Sequence, residues 1–203
     1  TTGNAMNWSD SNQWNQAADG SGTAGNPDTS DDHAIIQNGD TVTLTGAAET
    51  GSVMVDDTGI IVGGGNTLTL NGSSDDNIFR WDGTISAASD LNISIEGGAN
   101  KHIKDNGGTN NINNLTINNS GNTTELDTAL TLDGTLTVTA GTLTTTGSNH
   151  ALTVTGQLEL SGTLTCNAST VSVGSGLTNT LGMYVRSGGT LTGGTGPHTY
   201  GTF

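Results

Sequence analysis

Residues 129–173, ALTLDGTLTVTAGTLTTTGSNHALTVTGQLELSGTLTCNASTVSV, decide the fold. Apolar residues alternate with threonine in short runs, and each run ends at a Gly or Asn turn. Period-two alternation marks a half-buried strand, because successive side chains point to opposite faces. The inward set reads Leu130, Leu132, Leu136, Val138, Leu143, Leu152, Val154, Leu158, Leu160, Leu164, Val171 and Val173. It also returns on itself. Leu136/Val138 recur as Leu158/Leu160, Leu143 as Leu164, and Leu152/Val154 as Val171/Val173. A repeat of roughly 20 residues holding about three strands is the signature of a solenoid, in which each turn buries its apolar side against the next.

The same rhythm extends backwards to Ala34, through Val42/Leu44, Val53/Val55, Leu68/Leu70 and Leu91/Ile93/Ile95. The expected fold is all-β: a right-handed parallel β-helix with about three short strands per coil. Residues 34–193 form the solenoid, residues 1–33 an N-terminal cap or attachment segment containing Trp8 and Trp14, and residues 194–203 a C-terminal cap or exit segment. About 160 residues at ~20 per coil predict roughly eight coils and a rod about 40 Å long. Residues 97–111 break the rhythm around Lys101-His102-Ile103-Lys104 and are expected to protrude as a loop. Asparagine-rich residues 110–122 are expected to stack from coil to coil as hydrogen-bonded ladders.

Composition narrows the function. Glycine (32) far outnumbers proline (2), and aromatics are only 3% of 203 residues. A solenoid tolerates this, because its core is a narrow column filled one layer at a time. Four Lys+Arg against 19 Asp+Glu leave a net charge of -15. That balance excludes binding to a nucleic-acid backbone or to an anionic membrane surface, both of which need a basic footprint. No stretch approaches ~18 consecutive apolar residues, so no transmembrane helix is expected. Residues 1–33 show no charged and apolar leader, so no signal peptide is expected. The single cysteine, Cys166, falls one coil after Thr145 and reads as a small buried residue without a disulfide partner.

The candidate sites are few. Asp56-Asp57 and Asp75-Asp76 are separated by about one coil, so they are expected to lie over one another. Stacked carboxylates repel, and a Ca²⁺ ion is one way to hold them; solvated turn aspartates are the plainer reading. Trp8, Trp14, Phe79 and Trp81 are candidate stacking platforms for a glycan or plain core residues, and Lys101 and Lys104 are candidate partner contacts. Thr142/Thr144 over Thr163/Thr165 begin a Thr-x-Thr array of the kind that can bind ice, but Thr135/Thr137 give way to Gln157/Glu159 one coil later.

Two resemblances bear on these sites. Polygalacturonase-like β-helices carry Asn-Thr-Asp, Asp-Asp, Gly-His-Gly and Arg-Ile-Lys motifs. This chain matches only Asp75-Asp76, and His33, His102, His150 and His198 stand in unrelated contexts, so no enzymatic activity and no catalytic residue is expected. By contrast, NWSDSNQWNQAADG (from Asn7) and DDHAIIQNGDTVTLTG (from Asp31) resemble the opening of phage and bacterial surface β-solenoids: a Trp-containing cap, a polar link and a first strand. Residues 135–165, TLTVTAGTLTTTG…LTVTGQLELSGTLT, resemble repeats of phage fibre and decoration proteins and of secreted adhesins. The resemblance implies a non-enzymatic structural or attachment module on a virion surface or elsewhere outside the cell. Its partners would be other virion or surface-structure proteins, a second and third copy of itself as a homo-oligomer, or a glycan.

Overall fold

A computed structural model describes residues 5–14, 25–37, 39–73, 77–86, 91–145, 148–179, 183–186, 190–193 and 198–200. The chain winds into a parallel β-solenoid of about seven turns, with no helix among the described residues. Each turn presents three faces in a fixed order. The first face stacks His33–Ile36, Ser52–Val55, Asn77–Trp81, Lys101–Asp105, the C-terminal ends of Ile112–Leu126 and Leu136–Thr144, then Thr163–Asn167 and Met183–Arg186. The second face carries two four-stranded sheets, one from Ala5–Asn7 to Thr84–Ile85 and one from Leu130–Leu132 to Thr190–Gly193. The third face runs from Ala48–Thr50 to His198–Tyr200. The first and third faces form one 14-stranded sheet, because Ile112–Leu126 and Leu136–Thr144 pass round the corner between them without a break.

Glycine makes those two corners. Gly121 and Gly141 have φ of 77° and 80°, a left-handed backbone that costs side-chain-bearing residues but not glycine. A Cβ at Gly141 would lie 2.2 Å from the Asn119 carbonyl oxygen of the preceding turn. Between corners the alternation does the rest. The inward residues Leu136, Leu158 and Leu177 pair in register on the third face, as do Leu152 and Val171 on the second. Like thus stacks on like, giving one apolar column from Trp8 to Leu177. Each fully buried Leu, Ile or Val in it contributes about 1.5–3 kcal/mol.

The coils vary in length. Leu143 pairs with Leu164, 21 residues on, whereas Val53 pairs with Phe79, 26 residues on. The uniform 20-residue period therefore holds only in the C-terminal part, and the longer N-terminal coils bring the total to about seven rather than eight. The asparagine ladder is present. Asn66 Nδ2 donates to the Leu44 carbonyl (2.8 Å), Asn92 Nδ2 to that of Gly65 (3.1 Å), and Asn114 Nδ2 to Asn92 Oδ1 (2.8 Å). These bonds tie four successive turns at the corner between the second and third faces.

Residues 97–111 do not protrude as one loop. Lys101–Asp105 is a strand of the first face, paired on one side with Asn77–Trp81 and on the other with Ile112–Leu126. The alternation was hidden because Ile103 is its only apolar inward residue. Lys101 occupies an inward position, in register with Thr124, and a lysine at an inward position erases the period-two signal.

Candidate functional site

The aromatic candidates belong to the core. Trp8 and Trp14 are 4% and 8% exposed, and their rings meet edge to face at 5.2 Å. Trp8 Nε1 donates to the Pro27 carbonyl (3.2 Å), and Trp14 Nε1 to the Trp8 carbonyl (2.8 Å). The Trp8 backbone N–H reaches Thr43 (2.9 Å). Both rings and both indole donors are thus engaged at the N-terminal end of the column. Phe79 and Trp81 both point inward, with ring centroids 5.0 Å apart and no appreciable exposure. None of the four offers a free ring face to a sugar.

The two lysines separate. Lys101 is fully buried, and its ammonium donates to the Gly72 carbonyl. Lys104 faces outward from the same strand. It continues an outward row of the first face: Ile35, Met54, Arg80, Lys104. Two cations in adjacent register repel, and the neighbouring corner supplies acids. Arg80 pairs with Asp82 at 2.9 Å, and His102 with Asp127 at 2.9 Å. This part of the surface is a charge mosaic.

The aspartate pairs do not stack as the sequence period suggests. The Asp56 backbone N–H bonds Ile36, and the Asp82 N–H bonds Val55, each at 2.8 Å. The longer coil therefore sets Asp82, rather than Asp75, above Asp56. Asp57 is exposed beside it, and Asp75 and Asp76 lie outside the described residues. No group of three or more His, Cys, Asp or Glu side chains comes together among the described residues. Asp32 is a turn anchor: its carboxylate accepts from Thr29 Oγ1 (2.8 Å), Thr29 N (2.9 Å) and Asp28 N (3.1 Å). The Thr29 hydroxyl foremost holds its pKa below the ordinary aspartate value, against a smaller opposing push from burial. Cys166 is buried and forms no disulfide, over Thr145 as the repeat implied, with Thr145 Oγ1 donating to its carbonyl (3.1 Å).

Two uncharged features were not apparent as sites in the sequence. An open groove of about 510 Å³ follows the glycine corner, floored by Gly121, Gly141 and Gly162 and walled by Thr123, Thr142 and Thr163. The second is the outer side of the second face beyond Leu130. Thr131, Thr153, Ser172 and Thr192 follow in register on successive turns; the three threonines are exposed and Ser172 half-buried. The signal for it was electrostatic. After Asp133 the chain holds one acid, Glu159, and one Lys/Arg, Arg186. By contrast Thr144, half of the Thr-x-Thr pair picked out by spacing, is 4% exposed and its hydroxyl is buried.

No protein-family model matches the chain, and neither a curated protein nor a solved structure matches it.

Proposed function

We propose that this chain is a non-enzymatic structural rod, an attachment or decoration module of a virion surface. The observation that carries the reading is the single apolar column from Trp8 to Leu177, which is shared by all the described turns and closed at its N-terminal end by the tryptophan pair. A parallel ladder on three faces around such a column resists bending and local opening, because each turn is hydrogen-bonded to both neighbours. The virion setting rests on the resemblance of the Trp-containing opening and the Gly/Thr/Leu repeats to phage fibre and decoration proteins. A rod of this kind works by displaying its faces and joining partners side by side, and copies of itself are the natural partners in such assemblies.

The test is mass spectrometry and electron microscopy of the native particle that carries the chain. Fixed stoichiometry on a capsid or tail supports the proposal. Recovery from a cell envelope or free in the medium overturns the virion setting in favour of an extracellular adhesin or filament subunit. Turnover of an acidic polysaccharide by the purified chain overturns the non-enzymatic reading.

A further inference from the structure

We propose that the second face of the C-terminal half, centred on Thr153, binds ice. The inference does not rest on the virion reading. Three observations converge on this face. First, its outward residues are in register along the rod: Thr131, Thr153, Ser172 and Thr192 form one row, and Thr170 and Thr190 begin a second. Strand spacing fixes the rows at ~4.8 Å between turns, and the pleat places neighbours within a strand ~6.7 Å apart. Second, the side chains are short and carried on backbone hydrogen-bonded on both sides, so the lattice is flat and stiff. Third, the face is free of charge beyond Asp133 at its N-terminal margin; Glu159 lies on the third face and Arg186 on the first. On a chain of net charge -15, a charge-free face is a departure that needs a reason.

A rigid lattice periodic in two directions selects a ligand with the same property. A dissolved sugar or peptide repeats in one direction at most. Ice repeats in two, its oxygen rows fall close to the strand spacing, and its surface is made of hydroxyl donors and acceptors. Each threonine hydroxyl can take the place of a lattice water, while its methyl group orders the waters beside it. A charged side chain would hold its own hydration shell against that order. Crystalline polysaccharide is the competing two-dimensional solid, but it is gripped through sugar ring faces by aromatic side chains, and the outward residues named above are not aromatic.

The test is thermal hysteresis of the full chain in dilute buffer, measured on single ice crystals, together with partitioning of the labelled chain into a growing ice hemisphere. The wild-type chain should show a hysteresis gap and enter the ice. Thr153→Tyr and, separately, Ser172→Tyr should each reduce the gap at least tenfold with an unchanged circular-dichroism melt. Thr69→Tyr, on the third face of the N-terminal half, should leave it intact. No gap in the wild type, an undiminished gap in both tyrosine variants, or retention on crystalline chitin or cellulose without effect on ice overturns the proposal.

Discussion

Residues 1–133 and residues 134–203 share one core and differ in nearly everything outside it. The first region carries 18 of the 19 acids and three of the four Lys/Arg; the second carries one of each. The first has coils of up to 26 residues, from Val53 to Phe79, whereas the second keeps to 21 from Leu143 to Leu164 and 20 from Leu164 to Tyr184. Its interior also differs. Trp8, Trp14, Phe79, Trp81 and Lys101 are buried in the first region, while the buried interior of the second is mostly aliphatic, with Cys166 and a few polar residues such as Thr145 and Ser169 beside it. A solenoid permits this because each turn answers only to its neighbours. The inward column has to match from turn to turn, while corners and outward side chains are free to specialise.

The largest effect should come from the shared column. Trp81→Ala empties a fully buried site in the first region and should cost about 3–5 kcal/mol. Leu158→Ala in the second should cost about 2–5 kcal/mol. Chemical denaturation followed by circular dichroism should show each variant melting in one transition. Separate transitions for the two regions would mean that the column is not continuous.

Corner chemistry should come next. Gly141→Val forces a branched residue into φ 80° and against the Asn119 carbonyl. The backbone strain alone is about 1–3 kcal/mol, with the clash added to it. Gly98→Ala meets nothing within 4 Å and should stay within about 0.5 kcal/mol of wild type. Equal melting temperatures for the two variants would show that the corner at Gly141 relaxes.

Salt should separate the regions more gently. Raising ionic strength from 0.01 to 0.15 M shortens the screening length from about 30 to about 8 Å. Amide protection should then rise across residues 33–126, where like charges repel, and change less across residues 134–179. An equal response would contradict the charge asymmetry as a source of local stability. The smallest effect is at Asp32, whose pKa is lowered in the folded state. A lowered carboxyl pKa stabilises the fold at pH above the unfolded value, and that contribution is lost as pH falls through the folded value. Thr29→Val should move the Asp32 pKa back up, as read by NMR titration, and should alter stability only at acid pH.

The second region was almost fully legible in the sequence. Leu136/Val138 over Leu158/Leu160 and Leu152/Val154 over Val171/Val173 are the registers found. There the period is constant and each inward position is aliphatic. The first region was harder for two physical reasons. Corners lengthened the coil after Val55, so a fixed period set the wrong aspartate above Asp56. Lys101 turned inward, so a paired strand read as a loop. Which outward threonines stand exposed was also hidden, because Thr144 and Thr153 look alike in an alternating pattern while their neighbours bury only the first. The tryptophans at positions 8 and 14 were legible as an end feature, but only three-dimensional packing shows both indole donors already used.

Native-state hydrogen exchange across the whole chain tests most directly whether one rod carries both surfaces. A continuous column predicts that core amides at Leu68 and Ile93 and those at Leu152 and Leu158 exchange through the same global opening, with no step in protection near residue 133. A second region exchanging orders of magnitude faster than the first, or slower, would contradict it and leave two separately folding pieces.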